Sequence, residues 1–226
     1  MVKIYVADIS NLSDPMLNSE LLHKLPTERQ QRIHNLKQEK SRRQSMGVGL
    51  LLQKVLALYH MQDSQVYVGE HGKPMVEGLE FNLSHSGDLV VCAVSDKPVG
   101  CDIEQVCEAP KGVADRYFSD GEQSYLSRFS EAEYDKEFFR LWTMKESYVK
   151  MTGEGLGLPF EAYEVFFKDS QYNSKVCTSL ASGGRMRVLR NGKTQSCYLS
   201  SLELQEHIIS ICAEDSAPVE VIKETL

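Results

Sequence analysis

The chain has 226 residues, of which 42% are hydrophobic and 25% are charged, and this composition is typical of a globular protein. Its formal net charge of −7 excludes the overall basic surface that is typical of nucleic-acid-binding proteins. Residues 1–6 are too few and too broken by charge for a signal peptide, and the longest apolar run, near Leu50, is too short to span a membrane. Six cysteines without a Cys-x-x-Cys pair fit a reducing compartment, so we predict a cytoplasmic protein that binds neither nucleic acid nor membrane.

Hydrophobic patterning predicts a mixture of helices and strands in the first part of the chain. Apolar residues at helical spacing give the segment around Leu50–Leu58 a wide apolar face. Alternating and β-branched stretches, separated by Gly, Pro, Ser and Asp turns, favour short strands. In chain order the predicted elements are a strand over 2–7, helices over about 19–38 and 40–60, and strands over 66–68, 81–84, 89–94 and 99–104.

The second part of the chain predicts helices followed by strands. Helices are expected over 119–129 and 136–152, and several strands between about 162 and 214. Residues 209–219 also repeat the pattern of residues 89–99 at an offset of 120. This short match has two explanations, chance or an internal repeat.

An internal repeat predicts an α+β fold of two pseudo-symmetric α/β halves. The first half would comprise residues 1–104 and the second residues 105–226. Ligands commonly bind at the interface between two such units, so we expect the functional site in the cleft between the halves.

The positive charge is concentrated in one segment. Residues 24–54 contain eight Lys and Arg and two acidic residues, whereas the remainder of the chain contains 17 basic and 30 acidic residues. This basic segment would suit a phosphorylated ligand. A solvated helix face gives the same pattern. A nucleic-acid site is disfavoured by the acidic remainder and would predict strongly salt-dependent affinity.

The segment Val99–Glu104 brings two acidic side chains to one face of a predicted strand. Because side chains alternate along a strand, Asp102 and Glu104 point the same way, roughly 7 Å apart, with Gly100 beside them. Like charges at this distance disfavour each other unless a cation or solvent lies between them. The glycine leaves room for a ligand or for another stretch of backbone. A metal site and the polar face of an edge strand both fit this pattern.

The predicted helix over 136–152 adds a third carboxylate and two lysines. Trp142, Glu146 and Lys150 are spaced four residues apart and form one column, with Lys145 on the neighbouring stripe. A core-facing stripe should not contain a lysine beside such a column, so the pattern favours a helix that lines a cleft. An ordinary surface pair between Glu146 and Lys150 is the alternative.

Together the strand and the helix supply the groups that a magnesium site acting on phosphate requires. Mg²⁺ prefers oxygen ligands, and three carboxylates suit it: Asp102, Glu104 and Glu146. The lysines suit phosphate contact or stabilisation of a leaving group. A different Mg²⁺-dependent enzyme acting on nucleotides or phosphosugars is weakly disfavoured, because the sequence has no Gly-rich phosphate-binding loop.

Five motifs in this order and spacing resemble those of the Sfp-type 4′-phosphopantetheinyl transferases. The resemblance is specific over residues 70–156. The motifs are Gly72-Lys73-Pro74, Phe81–Gly87, Val99–Glu104, Phe118-Ser119 with Glu122, and Leu141–Ser147 with Lys150. The resemblance implies two pseudo-symmetric halves with the active site between them. It also implies Mg²⁺-dependent transfer of 4′-phosphopantetheine from coenzyme A to a serine of an apo acyl or peptidyl carrier protein, with release of adenosine 3′,5′-bisphosphate.

The resemblance also implies catalytic roles for matching residues. Asp102, Glu104 and Glu146 correspond to the Mg²⁺ ligands. Glu146 is the better candidate for the general base on the carrier serine, and a metal-bound water held by Glu104 is the competing base. Lys150 corresponds to the group that stabilises or protonates the leaving bisphosphate.

Further residues are implied in coenzyme A binding. The adenine side corresponds to Lys73 and Pro74, and the pyrophosphate contacts correspond to Ser84, His85 and Lys145, with a possible second role for His85 at the 3′-phosphate. Lys150 also belongs to this coenzyme A set. The basic segment contributes Arg29, Arg32 and Arg43. Residues 105–125 correspond to the carrier-docking segment, and the apolar side chains there would be Val113, Tyr117 and Phe118.

One alternative function keeps the fold without the chemistry. A non-catalytic module that binds coenzyme A or a carrier protein would share the architecture, but binding alone does not require the complete set of three carboxylates and Lys150. A monomer is expected, because the two halves already supply both sides of the cleft.

Overall fold

The computed structural model describes residues 1–17, 19–160, 163–166, 182–190, 193–214 and 218–226, with the backbone alone for 156, 166, 182–190 and 193–196. Five helices are described: α1 (Thr27–His34), α2 (Glu39–Leu58), α3 (Val113–Tyr117), α4 (Asp120–Leu126) and α5 (Glu131–Thr152). Eleven strands are described: β1 (Val2–Asp8), β2 (Tyr67–Val68), β3 (Pro74–Met75), β4 (Glu80–Ser86), β5 (Leu89–Ser95), β6 (Val99–Gln105), β7 (Glu164–Phe166), β8 (Ser182–Arg190), β9 (Lys193–Leu204), β10 (His207–Ala213) and β11 (Val219–Glu224). The predicted α+β class is confirmed. Among these helices none is both long and apolar enough to cross a membrane.

Two sheets form the centre of the fold, and β2 and β3 form a separate hairpin. The first sheet has the order β11-β1-β5-β4, and the second has the order β6-β10-β9-β8-β7. The two copies of the repeat, which lie in β5 and β10, have the same connection to the strand that follows them. β5 is followed by β6, which pairs in the other sheet with β10, and β10 is followed by β11, which pairs in the other sheet with β1. The sheets therefore exchange strands, and the division of the chain at residue 104 stays a prediction.

The two sheets pack face to face, with one helix on each outer face. Alternate residues of β1, β5, β6 and β10 form the apolar layer between the sheets. α2 covers the outer face of the first sheet, and α5 covers the outer face of the second. Residues 99, 101 and 103 of β6 belong to the inner layer, as alternation predicts, so residues 100, 102 and 104 face the side of α5.

The helix boundaries differ from prediction where capping residues decide them. The helix predicted over 19–38 is wrong, because Pro26 starts α1 and only a short 3-10 turn, Leu22–Lys24, precedes it. α5 begins five residues earlier than predicted, because Ser130 and Glu133 form a capping box. It ends at Gly153, whose φ of 73° suits a left-handed helix cap.

At Gly100 the backbone of α5 packs directly against β6. A Cβ built on this residue would overlap the carbonyl oxygen of Ser147 and the amide nitrogen of Met151. The space expected beside Asp102 and Glu104 is therefore filled by the backbone of α5. This contact sets how closely the helix approaches β6, and with it the distance between the two acidic elements.

Candidate active site

Strands from different sheets lie side by side where the acidic residues meet. β6 is the edge strand of the second sheet, and its free edge faces β4 of the first. Side chains of β4, rather than its backbone, accept the edge hydrogen bonds: Cys101 N donates to Asn82 Oδ1 (2.9 Å), Ile103 N to Ser84 Oγ (3.4 Å) and Gln105 N to Ser86 Oγ (3.0 Å). This side-chain bridge holds β6 next to β4 and so gathers residues of both sheets into one site.

Asp102 is the buried centre of the site. Its side chain is 5% exposed, and its Oδ1 accepts hydrogen bonds from Ser84 Oγ at 2.8 Å and Lys150 Nζ at 2.6 Å. Its Oδ2 is buried and has no hydrogen-bond partner within the described part of the chain. A buried carboxylate oxygen without a partner is costly, so this atom is suited to receive a cation.

Glu104 and Glu146 face the same small cavity as Asp102. This cavity has a volume of about 350 Å³ and is lined also by Ser84, His85 and Lys150. Burial raises the pKa of Glu104 and of Glu146, and the negative charge of Asp102 raises both further. Burial opposes the charge on Lys150, but the nearby carboxylate of Asp102 raises the pKa of Lys150 overall. The lysine is therefore held as a cation among acidic groups.

The acidic residues fit a hard divalent cation. All three offer oxygen ligands, which Mg²⁺ prefers, and the unpartnered Oδ2 of Asp102 provides a buried ligand atom. Among the residues that the structure describes, no three acidic, His or Cys side chains already converge on one point closely enough to hold a metal. Binding by Asp102, Glu104 and Glu146 together would thus require the three carboxylates to move closer together within the cavity that they line.

The raised pKa of Glu146 predicts a pH-dependent gain of stability in the Glu146→Gln variant. The folded protein without metal holds the Glu146 proton more tightly than the unfolded chain, so this residue's contribution is present at low pH and is lost as pH rises through its raised pKa. At neutral pH the variant should therefore melt at a higher temperature than wild type. At about pH 4 the advantage should vanish. Thermal unfolding of both proteins in the presence of a chelator measures this difference. Equal unfolding midpoints of the variant and wild type at every pH would contradict the prediction.

A larger pocket of about 710 Å³ adjoins the acidic cavity and shares Glu146 and Lys150 with it. Its wall is aromatic: Trp142 stacks on Phe160 with ring centroids 5.3 Å apart, and Tyr117 meets both rings edge-on. The opposite rim is the β2–β3 hairpin, whose turn supplies His71, Gly72, Lys73 and Pro74. The site thus joins an acidic compartment to a larger apolar one.

The acidic residues and the helix lie inside a recognisable family match. The family model described as the 4′-phosphopantetheinyl transferase superfamily matches residues 98–212. This range contains β6 with Asp102 and Glu104, and α5 with Glu146 and Lys150. The chain belongs to the 4′-phosphopantetheinyl transferase superfamily.

Relatives within this superfamily extend the similarity over most of the chain. The 4′-phosphopantetheinyl transferase Sfp of Bacillus subtilis (strain 168) is 30% identical over 181 residues, which are 77% of this chain and 75% of that protein. The transferase gsp of Aneurinibacillus migulanus is 31% identical over 167 residues, covering 72% and 70%. Another transferase of Bacillus subtilis is 35% identical over 150 residues, covering 65% and 61%. The predicted resemblance to the Sfp-type 4′-phosphopantetheinyl transferases is confirmed.

In this member of the superfamily, several residues predicted to bind coenzyme A lie at the two cavities. Lys73 and Pro74 line the larger one, and Ser84 and His85 line the acidic one. Burial lowers the pKa of Lys73, whose Nζ points to the carbonyl oxygens of residues 99 and 151 at 3.4 and 3.5 Å. Desolvation, and then the charge of Lys150, lowers the pKa of His85.

The three predicted arginines lie outside these two cavities. Arg29 donates from Nη1 to the carbonyl oxygen of Ser45 at 3.2 Å, and burial lowers the pKa of Arg29. Arg43 pairs with Asp88 at 3.2 Å. Arg32 is exposed, and its charge acts on His85. Their contacts with coenzyme A stay predictions.

The predicted phosphate contact of Lys145 is wrong in this structure. The side chain is 0% exposed, and its Nζ donates to both carboxylate oxygens of Glu122 at 3.0 Å and to the carbonyl oxygen of Tyr163 at 2.9 Å. Lys145 and Glu146 are consecutive residues of α5, so their side chains point to different sides of the helix. The side of Lys145 packs in the core, whereas the side of Glu146 lines the cleft. Its role is to join α4 to α5.

Replacement of Lys145 by Met should therefore damage stability more than ligand binding. The change leaves the fully buried carboxylate of Glu122 without its cation, which costs about 3–5 kcal/mol when one partner of a buried pair is removed. Chemical denaturation measures the loss. Lys136→Met on the same helix is the matched control, because Lys136 pairs with Glu203 at the surface and should cost at most about 1 kcal/mol. Equal stability of the two variants would contradict the structural role.

Two residues that hold the site together were not predicted. Asn82 and Ser86 flank Ser84 at alternate positions of β4, and both hydrogen-bond to the backbone of β6. The alternation Asn-x-Ser-x-Ser in β4 was the available signal, because it places three polar side chains on one strand face, and such side chains need partners when they are buried.

Proposed function

We propose that this protein transfers 4′-phosphopantetheine from coenzyme A to the serine hydroxyl of an apo acyl or peptidyl carrier protein in an Mg²⁺-dependent reaction. The observation that carries the proposal is the shared cavity in which Asp102, Glu104 and Glu146 surround Lys150, in a chain of the 4′-phosphopantetheinyl transferase superfamily. Acid groups alone would suit many reactions. The adjoining pocket and the family together point to a phosphorylated substrate with a large organic part.

Coenzyme A would occupy both cavities. The pyrophosphate lies in the acidic cavity beside Ser84, His85 and Lys150, and the adenine lies against Lys73 and Pro74 at the rim of the larger pocket. A volume of about 710 Å³ is within the range of small-molecule sites. Asp102, Glu104 and Glu146 would hold Mg²⁺, which when bound supplies neutralisation of the pyrophosphate charge.

Two residues have separate roles in the transfer step: Glu146 accepts the proton of the carrier serine, and Lys150 stabilises the leaving group. The carrier serine oxygen attacks the phosphorus that bears the pantetheine, and Glu146 takes the hydroxyl proton. In the metal-free protein, burial and the charge of Asp102 raise the pKa of Glu146, so these surroundings favour the protonated carboxyl that this step produces. The bond to the 5′-phosphate of the leaving adenosine 3′,5′-bisphosphate breaks on the other side, and Lys150 stabilises that phosphate with its charge or its proton. The raised pKa of Lys150 keeps it cationic for this role.

Carrier docking is proposed at residues 105–125, which include α3 and α4. Val113 and Tyr117 are partly buried, and Tyr117 lines the larger pocket. Phe118 is a core residue, 4% exposed and 5.3 Å from the ring of Phe138. The predicted docking role of Phe118 is therefore wrong, because its side chain is unavailable to a partner. We further propose that the protein acts as a monomer in the cytoplasm.

The test is the mass of an apo carrier protein after incubation with coenzyme A, Mg²⁺ and this protein. Transfer adds one phosphopantetheine to the carrier, and replacement of Mg²⁺ by a chelator should abolish the gain. Several peptidyl and acyl carriers should be tried in parallel. Coenzyme A binding without any mass gain would favour the alternative, a non-catalytic binding module of the same fold.

A further inference from the structure

Ser86 lies at the end of β4, beside the acidic site, and its hydroxyl both donates and accepts a hydrogen bond there. Its Oγ donates to Oε2 of Glu104 at 2.8 Å and accepts from the backbone amide of Gln105 at 3.0 Å. A serine hydroxyl has a single proton to donate. Since the amide of Gln105 occupies the acceptor side, the proton is directed at the Glu104 carboxylate.

The backbone around Ser86 is fixed from two directions. His207 Nε2 lies 3.2 Å from the carbonyl oxygen of Ser86, and Gln44 Nε2 donates to the carbonyl oxygen of Gly87 at 3.0 Å. Gly87 has a φ of 54°, and a Cβ there would lie 2.7 Å from His207 Nε2. Because the end of β4 is clamped, the hydroxyl of Ser86 stays in place and Glu104 adjusts to it.

This arrangement matters because Glu104 is a partly exposed side chain with several rotatable bonds. Without a fixed partner its carboxylate would sample many orientations, and a cation would have to order it on binding. The bond to Ser86 holds Oε2 of Glu104 at the cavity that this residue lines, and Oε1 is the oxygen that we assign to a cation. Outer partners of this kind commonly orient metal-binding carboxylates.

We propose that Ser86 is a positioning residue that holds the Glu104 carboxylate ready for Mg²⁺. The inference rests on the proposed function in assigning Glu104 to the metal, and it extends that function to a residue outside the cavity lining. The parallel contact of Ser84 with Asp102 gives the two carboxylates of β6 matching supports from β4.

Calorimetric titration of the coenzyme-free protein with Mg²⁺ alone tests this inference. Ser86→Ala should weaken Mg²⁺ binding about 10-fold to 100-fold, whereas Ser86→Thr, which keeps the hydroxyl, should bind close to wild type. Ser95→Ala is the matched control, because Ser95 lies at the opposite end of the same sheet and bonds within its own turn. If the alanine variant does not fold, Ser86→Cys replaces it, since a thiol of similar size is a weak donor.

Two further readouts separate positioning from general damage. The Mg²⁺ concentration for half-maximal transfer should rise by the same factor in Ser86→Ala, with a much smaller change in rate at saturating Mg²⁺. In a Glu104→Gln background the serine change should cause no additional loss of Mg²⁺ affinity, because the two residues act through one contact.

The outcomes distinguish this inference from the proposed function. Equal Mg²⁺ affinity of folded Ser86→Ala and wild type, or equal weakening in Ser86→Thr, would overturn the positioning role while transfer by wild type stands. Mg²⁺ binding with the expected variant pattern but no transfer to any carrier would support the positioning role and sink the proposed function. A wild-type protein that binds no Mg²⁺ would overturn both.

Discussion

Glu146→Gln should reduce phosphopantetheine transfer about 10²-fold to 10⁴-fold, the usual contribution of a positioned general base. The amide has the size of the carboxylate but accepts no proton at neutral pH, and it is a weaker ligand for a hard cation. Coenzyme A should still bind, because the amide keeps the size of the side chain and the contacts proposed at Lys73, Pro74, Ser84 and His85 are unchanged. Single-turnover transfer measured by carrier mass, with coenzyme A affinity by calorimetry, gives both numbers.

Glu131→Gln serves as the control for Glu146→Gln. Glu131 begins the same helix at an exposed position, so the charge change is matched and the site is untouched. Its transfer rate should equal that of wild type. A Glu146→Gln variant that turns over at the wild-type rate would remove Glu146 as the base and favour a water held by Glu104.

Gly100→Ala should cost about 3 kcal/mol or more of folding free energy, a large share of the margin of a typical domain. The added methyl group meets backbone atoms of Ser147 and Met151, which cannot rotate away as a side chain could. Relief requires α5 to lift from β6, and this would also separate Glu146 and Lys150 from Asp102. Denaturant unfolding and transfer activity should therefore fall together.

The matched change for Gly100→Ala is Gly157→Ala. A Cβ at Gly157 meets nothing within 4 Å, so its effect on stability should stay within about 0.5 kcal/mol. Near-wild-type stability of Gly100→Ala would show that α5 can shift on the sheet without penalty, and the close helix contact would then have no role in fixing the site.

Local patterns predicted the site elements better than the architecture around them. Alternation placed Asp102 on the side of β6 that faces α5, and four-residue spacing placed Glu146 and Lys150 on one column, because both periods are fixed by backbone geometry. The family motifs supplied the pairing of these elements, which lie about forty residues apart and have no local signal for contact.

Three features could not be predicted from local sequence patterns. The burial of Lys145 depends on Glu122, which approaches from a different helix, so no pattern within α5 reveals it. The exchange of β6 and β11 between the sheets depends on long-range pairing, and periodicity indicates a strand without indicating its neighbour. The occupant of the space beside Gly100, backbone instead of ligand, follows from the same long-range packing.

The pairing of β1 with β11 has a consequence for synthesis on the ribosome. β1 emerges first, yet its parallel neighbour comprises residues 219–224, more than two hundred residues later. Pairings this distant in sequence form slowly, because the entropy of closing the intervening loop is lost before the strand contacts can stabilise the chain. One side of β1 therefore stays unpaired until residues 219–224 have been made, and an open strand edge of this kind promotes misassembly. Synthesis of β11, rather than completion of the first half of the fold, is the step that allows this edge of β1 to be covered.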